Sequence, residues 1–349
     1  MQPEKTRKRR AFSAPKIDDV AEIAGVSTAT VSRCLNTPDV VSPDTRERVM
    51  AAVTQLGYEP NFGARVMAAK RSNTIGAIIP TMENAIFARC LQAFQEELDR
   101  NDYTLLVASS SYKTDMEKQQ LRTLLARGAD AMLLIGFARD EEIYEMLEER
   151  QVPTVVAWSY RAGSRVASVG FDNKIAMREF ADLVFKQGHR KIGVISAPTA
   201  DNDRASERVA GIMESAAANG VDPSAIEIVE TKYSIDNGAR AAHAFLTSKV
   251  PPSALICGND VLAIGALKAA RELQLRVPED LSITGFDDIE LAQIADPGLT
   301  TVHVPHREMG RRAAKLLISL VENPRHLPSE QLATRIVKRG TLGPAPHSS

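Results

Sequence analysis

From Thr74 onward, short apolar runs alternate with amphipathic stretches. The runs "IGAIIP" (75–80), "YTLLVASS" (103–110), "AMLLIG" (131–136), "PTVVAW" (153–158), "SVGFD" (168–172), "KIGVISA" (191–197), "SALICG" (253–258) and "LSITGFD" (281–287) read as strands. Between them, stretches such as "ARCLQAFQEELDRN", "MEKQQLRTLLARG", "DEEIYEMLEERQ" and "DVLAIGALKAARELQ" read as helices with one apolar face. Strands alternating with helices mean βαβ units and doubly wound parallel sheets. There are too many strands for one modest sheet, and the pattern restarts near 170, so two similar α/β subdomains are expected. In such sheets a ligand sits beyond the carboxyl ends of the strands. The polar or aromatic residues just after strands are then the candidates: Asn84, Phe87, Tyr112, Trp158 (the single tryptophan), Arg204, Arg208, Asn259-Asp260 and Asp287-Asp288.

The front of the chain has a different pattern. In "DDVAEIAGVSTATVSRCLN", the spacing of Ile17, Val20, Ala21, Ala24 and Val26 predicts a helix with Asp18 as its cap. Gly25 breaks that helix, Ser27 caps a second one over Thr28 to Leu35, and Val31 and Leu35 turn inward. Two helices across a three-residue turn make a helix-turn-helix, whose second helix enters the major groove of DNA. Its outward residues Thr28, Ala29, Ser32, Arg33 and Asn36 are short and polar apart from the arginine and the asparagine, and a generic hairpin needs no such face. A third helix starts at Ser42-Pro43, packs through Val49, Val53 and Leu56, and stops at Gly57. Pro60 blocks continuation, and Asn61 then caps a short segment to Ala69, readable as a linker or as a hinge helix that folds against DNA.

These stretches, with "VSPDTRERVMAAVTQLGYEPN" and "GARVMAAKRSNTIGAIIP", resemble the head and hinge of the lactose/galactose repressor (LacI/GalR) family, and the resemblance runs through almost the whole chain. It implies base and phosphate contacts from Ser27, Thr28, Ala29, Thr30, Ser32, Arg33 and Asn36. It also implies a hinge that enters the minor groove through Asn61, Ala64, Met67 and Lys70. Met67 stands where the family carries a wedging leucine, and methionine is also flexible and apolar. For the body it implies a periplasmic-binding-protein-like clamshell whose chain crosses three times between its halves. "RASERVAG" matches the family's effector-contacting arginine at Arg208, "CGNDVLAIGALKA" its asparagine at Asn259, and "GFDDIELA" its aspartate at Asp287. Trp158 departs from the aspartate of sugar- and purine-binding relatives; losing an acid beside arginines favours an anionic ligand such as a sugar acid. "VGFDN" (169–173) is similar to the gluconate-type branch. The competing structural readings are Trp158 in the core, Asp260 as a helix cap and Asp288 bridging to a neighbour.

The expected organisation is a basic disordered tail (1–15), a helix-turn-helix head (16–60), a hinge helix and linker (61–72), the clamshell (73–340) and a disordered tail (341–349). Within the clamshell, one half takes about 73–170 and 303–330, the other about 171–300 and 331–340. Residues 1–72 carry twelve Lys/Arg against eight Asp/Glu, a surplus of four positive charges, which leaves the remainder five negative in a chain of net charge −1. A basic front on an acidic body suits a DNA-binding head. The three cysteines are far apart with no CxxC, which argues against structural zinc and fits a reducing cytosol. No membrane helix, secretory signal, GxSxG, P-loop or HExxH is present, so neither a transport binding protein nor a sugar-modifying enzyme is favoured. No cofactor, metal or catalytic residue is expected. The expectation is a cytoplasmic homodimeric repressor that binds a near-palindromic DNA operator under control of a small sugar or sugar-acid effector.

Overall fold

The computed structural model describes residues 15–59, 71–323 and 328–346. The chain divides into two compact units, Met1–Ser72 and Asn73–Ser349. In the first, α1 (Ile17–Ala24), α2 (Thr28–Asn36) and α3 (Pro43–Leu56) enclose a small core of Val20, Ala21, Ala24, Val31, Cys34, Val49, Ala52 and Tyr58. Gly25 ends α1 at φ 63°, a left-handed conformation that side chains resist. Lys16, not Asp18, is the N-cap of α1. Asp19 reaches back to the Lys16 N–H at 2.7 Å, while Asp18 lies within the first turn, where an acid still faces the dipole favourably. The expected hinge helix, with Asn61, Ala64, Met67 and Lys70, lies outside the described residues.

The second unit holds two parallel sheets. The larger has the order β11-β5-β4-β3-β1-β2, built from β1 (Thr74–Ile79), β2 (Thr104–Ser109), β3 (Ala131–Ile135), β4 (Thr154–Ala157), β5 (Ala167–Gly170) and the short β11 (Glu330–Gln331). Ile75 pairs with Leu105 on one side and Ala131 on the other. The smaller sheet has the order β7-β6-β8-β9, from β6 (Ile192–Ser196), β7 (Ile226–Glu230), β8 (Ala254–Cys257) and β9 (Ser282–Thr284). Strands β1, β3, β4, β5, β6, β8 and β9 are buried at every position, as parallel strands between helical layers are.

Helices α4 (Ala85–Asp99), α5 (Thr114–Ala126), α6 (Glu141–Glu149) and α12 (His306–Glu322) cover the larger sheet. The smaller one carries α7 (Asn173–Lys186), α8 (Asp203–Ala218), α9 (Ile235–Leu246) and α10 (Asp260–Glu272), followed by the short α11 (Glu290–Ile294). Helix α12 packs closely on α4: a Cβ added at Gly310 would stand 2.1 Å from the Cys90 carbonyl oxygen. The chain passes between the halves three times, after β5, between β9 and α12, and after β11. On the last two passages β10 (Thr301–His303) and β12 (Arg335–Val337) pair antiparallel. Because β11 spans Glu330–Gln331 and adds to β5, the larger sheet extends past the expected boundary at 330.

The disordered tail expected from 341 does not start there. Thr341 is buried and its carbonyl accepts from the Ile283 N–H at 2.9 Å, Gly343 bonds His189 and Ser282, and the Ala345 N–H donates to Gln187 O at 2.8 Å. The segment satisfies backbone and side-chain groups along β9 that would otherwise be buried unpaired. Among the described residues, no helix is long and apolar enough to cross a membrane.

Candidate DNA-reading face and ligand cleft

In the first unit, the Ser27 hydroxyl accepts from the Thr30 N–H at 3.2 Å and fixes the start of α2. Val31 and Cys34 are buried and Leu35 is half-buried on the same core, which turns the other face of α2 outward. Ser27, Thr28, Ala29, Arg33 and Asn36 are exposed, and Thr30 and Ser32 are half-buried. The Asn36 amide donates to Ser32 Oγ at 3.3 Å, so those two groups are ordered together. Among the described residues the face therefore presents one guanidinium, that of Arg33, amid short polar side chains, a geometry that lets a helix lie deep in a groove.

In the second unit, the strand ends of both sheets converge on one gap lined by Ile86, Phe87, Tyr112, Trp158, Asn202, Arg204, Arg208, Tyr233, Asn259 and Asp287. Seven of the ten sequence-derived candidates meet there, all but Asn84, Asp260 and Asp288. Asn84 lines the adjoining cavity, where its Oδ1 caps α4 by accepting from the Ile86 N–H. Trp158 is both core and cleft. It is 1% exposed and packs on Phe87 at 5.0 Å between ring centroids, yet its indole Nε1 has no partner among the described residues. Asn259 is the cap of α10, and Asp260 is not: the buried Asp260 carboxylate accepts from the Thr301 hydroxyl (2.5 Å) and the Ile289 N–H (2.8 Å). Burial, then the nearby Asp287 charge, pushes its carboxyl well above the ordinary range. Asp288 bridges to Arg339 at 2.6 Å and His303 at 2.9 Å.

Two groups of contacts draw the halves together. Asp203, at the start of α8, accepts from the Phe137 N–H (2.7 Å) and the Ser159 hydroxyl (3.0 Å) of the larger half, and pairs with Arg204. Burial pushes the Asp203 carboxyl up, but Arg204 and these donors outweigh it and leave the carboxyl below its ordinary value. Arg208 lies over the Phe286 ring at 4.0 Å, with its Nε donating to Asn173 Oδ1 (2.9 Å) and its Nη1 to Gly258 O (2.7 Å). Asn173 in turn donates to Trp158 O at 2.8 Å. None of the hydrogen bonds described for Arg208 goes to a carboxylate, although the residue is only 5% exposed.

Buried polar atoms without a hydrogen-bond partner among the described residues gather at this gap. They are Trp158 Nε1, Asp287 Oδ1 and His306 Nε2, with Asn84 Nδ2 at the adjoining cavity. His306 Nε2 is 3.8 Å from Asp287 Oδ1, and its ring lies 6.1 Å from that of Trp158. Folded proteins pair nearly all such groups, so a cluster of orphans marks a place for a ligand. Sequence reasoning missed His306, Asn202 and Tyr233. His306 opens helix α12 rather than following a strand of the main sheets, and Tyr233 follows the unforeseen β7; Asn202 stands two residues before Arg204, and its place as the residue before a helix was the one readable signal.

The comparisons agree with both units. Residues 16–61 match the family described as bacterial regulatory proteins, lacI family, and residues 181–342 match the periplasmic binding protein-like domain. The chain is 32% identical over 333 residues to the HTH-type transcriptional repressor PurR of Escherichia coli, covering 95% of this chain and 97% of that one. It belongs to the LacI family. As a LacI-family protein it is a DNA-binding transcriptional repressor with a ligand-binding domain. Its fold matches a LacI-family transcriptional regulator from Silicibacter pomeroyi with a TM-score of 0.86 at 29% identity, over 94% of this chain and 99% of that one. The lac repressor dimer bound to operator and the anti-inducer ONPF matches with a TM-score of 0.85 at 27% identity, over 95% and 100%.

Proposed function

We propose that this repressor acts as a homodimer on a near-palindromic operator and that a small polyhydroxy effector, a sugar or sugar acid, controls it from the cleft. The observation that carries the reading is the set of buried polar atoms on Trp158, Asp287 and His306 that lack a hydrogen-bond partner among the described residues. Asp287 Oδ1 accepts from a hydroxyl, the indole N–H donates to one, and Phe87 with Trp158 offers a flat face to C–H edges. Arg208, which has no carboxylate among its described partners, suits a hydroxyl pair or an acid group on the ligand. A planar base is the second reading, favoured by the same aromatic pair and by the identity to the repressor named PurR.

In this scheme Thr28, Ala29 and Arg33 choose bases, while Ser27, Thr30, Ser32 and Asn36 position the helix. Asn61, Ala64, Met67 and Lys70 would serve the minor groove, and the protein works in the cytoplasm. Effector binding changes how the halves meet across Asp203 and Asn173, and that change alters the spacing of two heads. The test is a gel shift with palindromic operators at physiological salt, joined to a thermal-shift screen of sugars, sugar acids and bases. Operator binding above nonspecific DNA and a ligand response lost in Arg208→Ala are expected. Equal affinity for random DNA would reject the operator reading; an unchanged response in Arg208→Ala would reject the cleft.

A further inference from the structure

We propose that the Asp203–Arg204 pair is a latch that holds the two halves closed over the inner gap, with residues 135–137 of the larger half as its keeper; what the latch guards rests on the cleft being the effector site. In this conformation the gap has about 10 Å³ of free space, room for about one water molecule. A sugar-sized molecule enters only after the halves part, so whatever holds them together sets the threshold for binding.

The keeper is shaped for this pair. Gly136 follows β3 directly and holds φ 69°. A Cβ there would stand 1.8 Å from Arg204 Nη1 and 2.3 Å from Asp203 Oδ1, so glycine leaves open a notch that the pair fills. The flanking backbone offers one acceptor and one donor. Arg204 Nη1 donates to Ile135 O at 3.2 Å, and the Phe137 N–H donates to Asp203 Oδ2 at 2.7 Å. The same Oδ2 accepts from the Ser159 hydroxyl at 3.0 Å, while Oδ1 pairs with Arg204 Nη1 at 3.0 Å. The larger half braces this stretch from behind. Arg139, whose side chain is fully buried, donates to Gly136 O at 2.6 Å and Ile135 O at 3.2 Å, and pairs with Glu117 at 3.2 Å. The Tyr144 hydroxyl accepts from Arg139 at 2.7 Å and donates to Phe137 O at 3.2 Å. One half thus fixes the carbonyls of 135–137, and a guanidinium and a carboxylate of the other half plug in between. Parting one buried charge from its partners leaves it uncompensated, so the pair engages or withdraws as a unit. Arg204, a ligand candidate in the sequence, also lines the gap, but its bonds assign it to closure.

The experiment uses the full chain and needs no effector, so its failure is separate from a failure of the effector reading. Trp158, the single tryptophan, lines the gap at 1% exposure, and acrylamide quenching of its fluorescence reports opening. Hydrogen exchange, followed by mass spectrometry on peptides that contain Phe137, reports the latch bond itself. Asp203→Ala should raise the quenching constant and speed exchange of the Phe137 amide about tenfold or more, the factor that goes with losing a hydrogen bond to a charged group. Asp203→Asn keeps an acceptor without the charge and should fall between that variant and the unaltered chain. Gly136→Ala blocks the notch from the opposite half and should open the gap as Asp203→Ala does, while the double variant should open it no further. Arg89→Ala removes an exposed ion pair with Glu290 between the same halves and should leave both readouts unchanged. Should Asp203→Ala fail to fold, Asp203→Asn and Ser159→Ala carry the same comparison in milder form. Quenching that stays at the unaltered value in the Asp203 variants or in Gly136→Ala overturns the latch. So does an additive double variant, or an equal rise in Arg89→Ala.

Discussion

At the scale of single residues, the cleft is a place where burial and charge work against each other. Glu207, one turn after Asp203 on α8, shows this outside the ligand-facing set. Burial, then the charges of Asp203 and Asp172, push its carboxyl up to about 7. A group whose folded value exceeds its unfolded one binds its proton more tightly in the folded state. Its stabilising contribution is full below the ordinary value of 4.5 and is lost as pH rises through about 7. Glu207→Gln should therefore flatten the fall in melting temperature between about pH 5 and pH 8. A calorimetric pH series identical to that of the unaltered chain would show that Glu207 is ionised throughout. Arg208 and Asp287 were legible in the sequence because family motifs surround them. His306 was not, since a histidine in the first turn of a helix carries no pattern of its own until Trp158 and Asp287 are seen beside it.

At the scale of elements, legibility followed burial. Strands such as β3 and β4, covered on both faces, read as unbroken apolar runs, and the expected ends lie within a residue or so of the observed ones. Strand β7 was missed because it is an edge strand with three exposed residues, "IEIVE", and so lacks the continuous run. The two- and three-residue strands β10, β11 and β12 exist only through their partners, which no local pattern reveals. Helix packing leaves a sharper mark: Gly310 lets α12 lie against the backbone of α4. Gly310→Ala forces a Cβ onto the Cys90 carbonyl and should cost about 1–3 kcal/mol through overpacking. Denaturant unfolding should show a lower midpoint with an unchanged slope, and a midpoint equal to that of the unaltered chain would mean that the helices part easily.

At the scale of the whole molecule, the two functions of the family are carried by two compact units, Met1–Ser72 and Asn73–Ser349, and control requires that a ligand in one be felt by the other. If the cleft and the operator are linked, the factor by which effector changes operator affinity equals the factor by which operator changes effector affinity. Typical coupling of about 1–3 kcal/mol corresponds to a 5–150-fold change. Titrating effector into free and operator-bound protein should give dissociation constants that differ by the same ratio as the operator constants with and without effector. Unequal ratios would mean that a further equilibrium, such as dimer dissociation, intervenes.

The three passages between the halves carry a mechanical consequence. A single tether lets two bodies drift apart, and two allow a swing about one line. Three connections, two of them zipped together by β10 and β12, remove separation and sliding and leave rotation as the compliant freedom. Torque then falls on the few residues at the pivots, among them Asp287 and Asp288, whose φ values of 107° and 55° already lie away from the common basins. If Asp287 grips the effector as proposed, ligand-driven motion is a twist of one half upon the other, and Asp287 is also part of the axle.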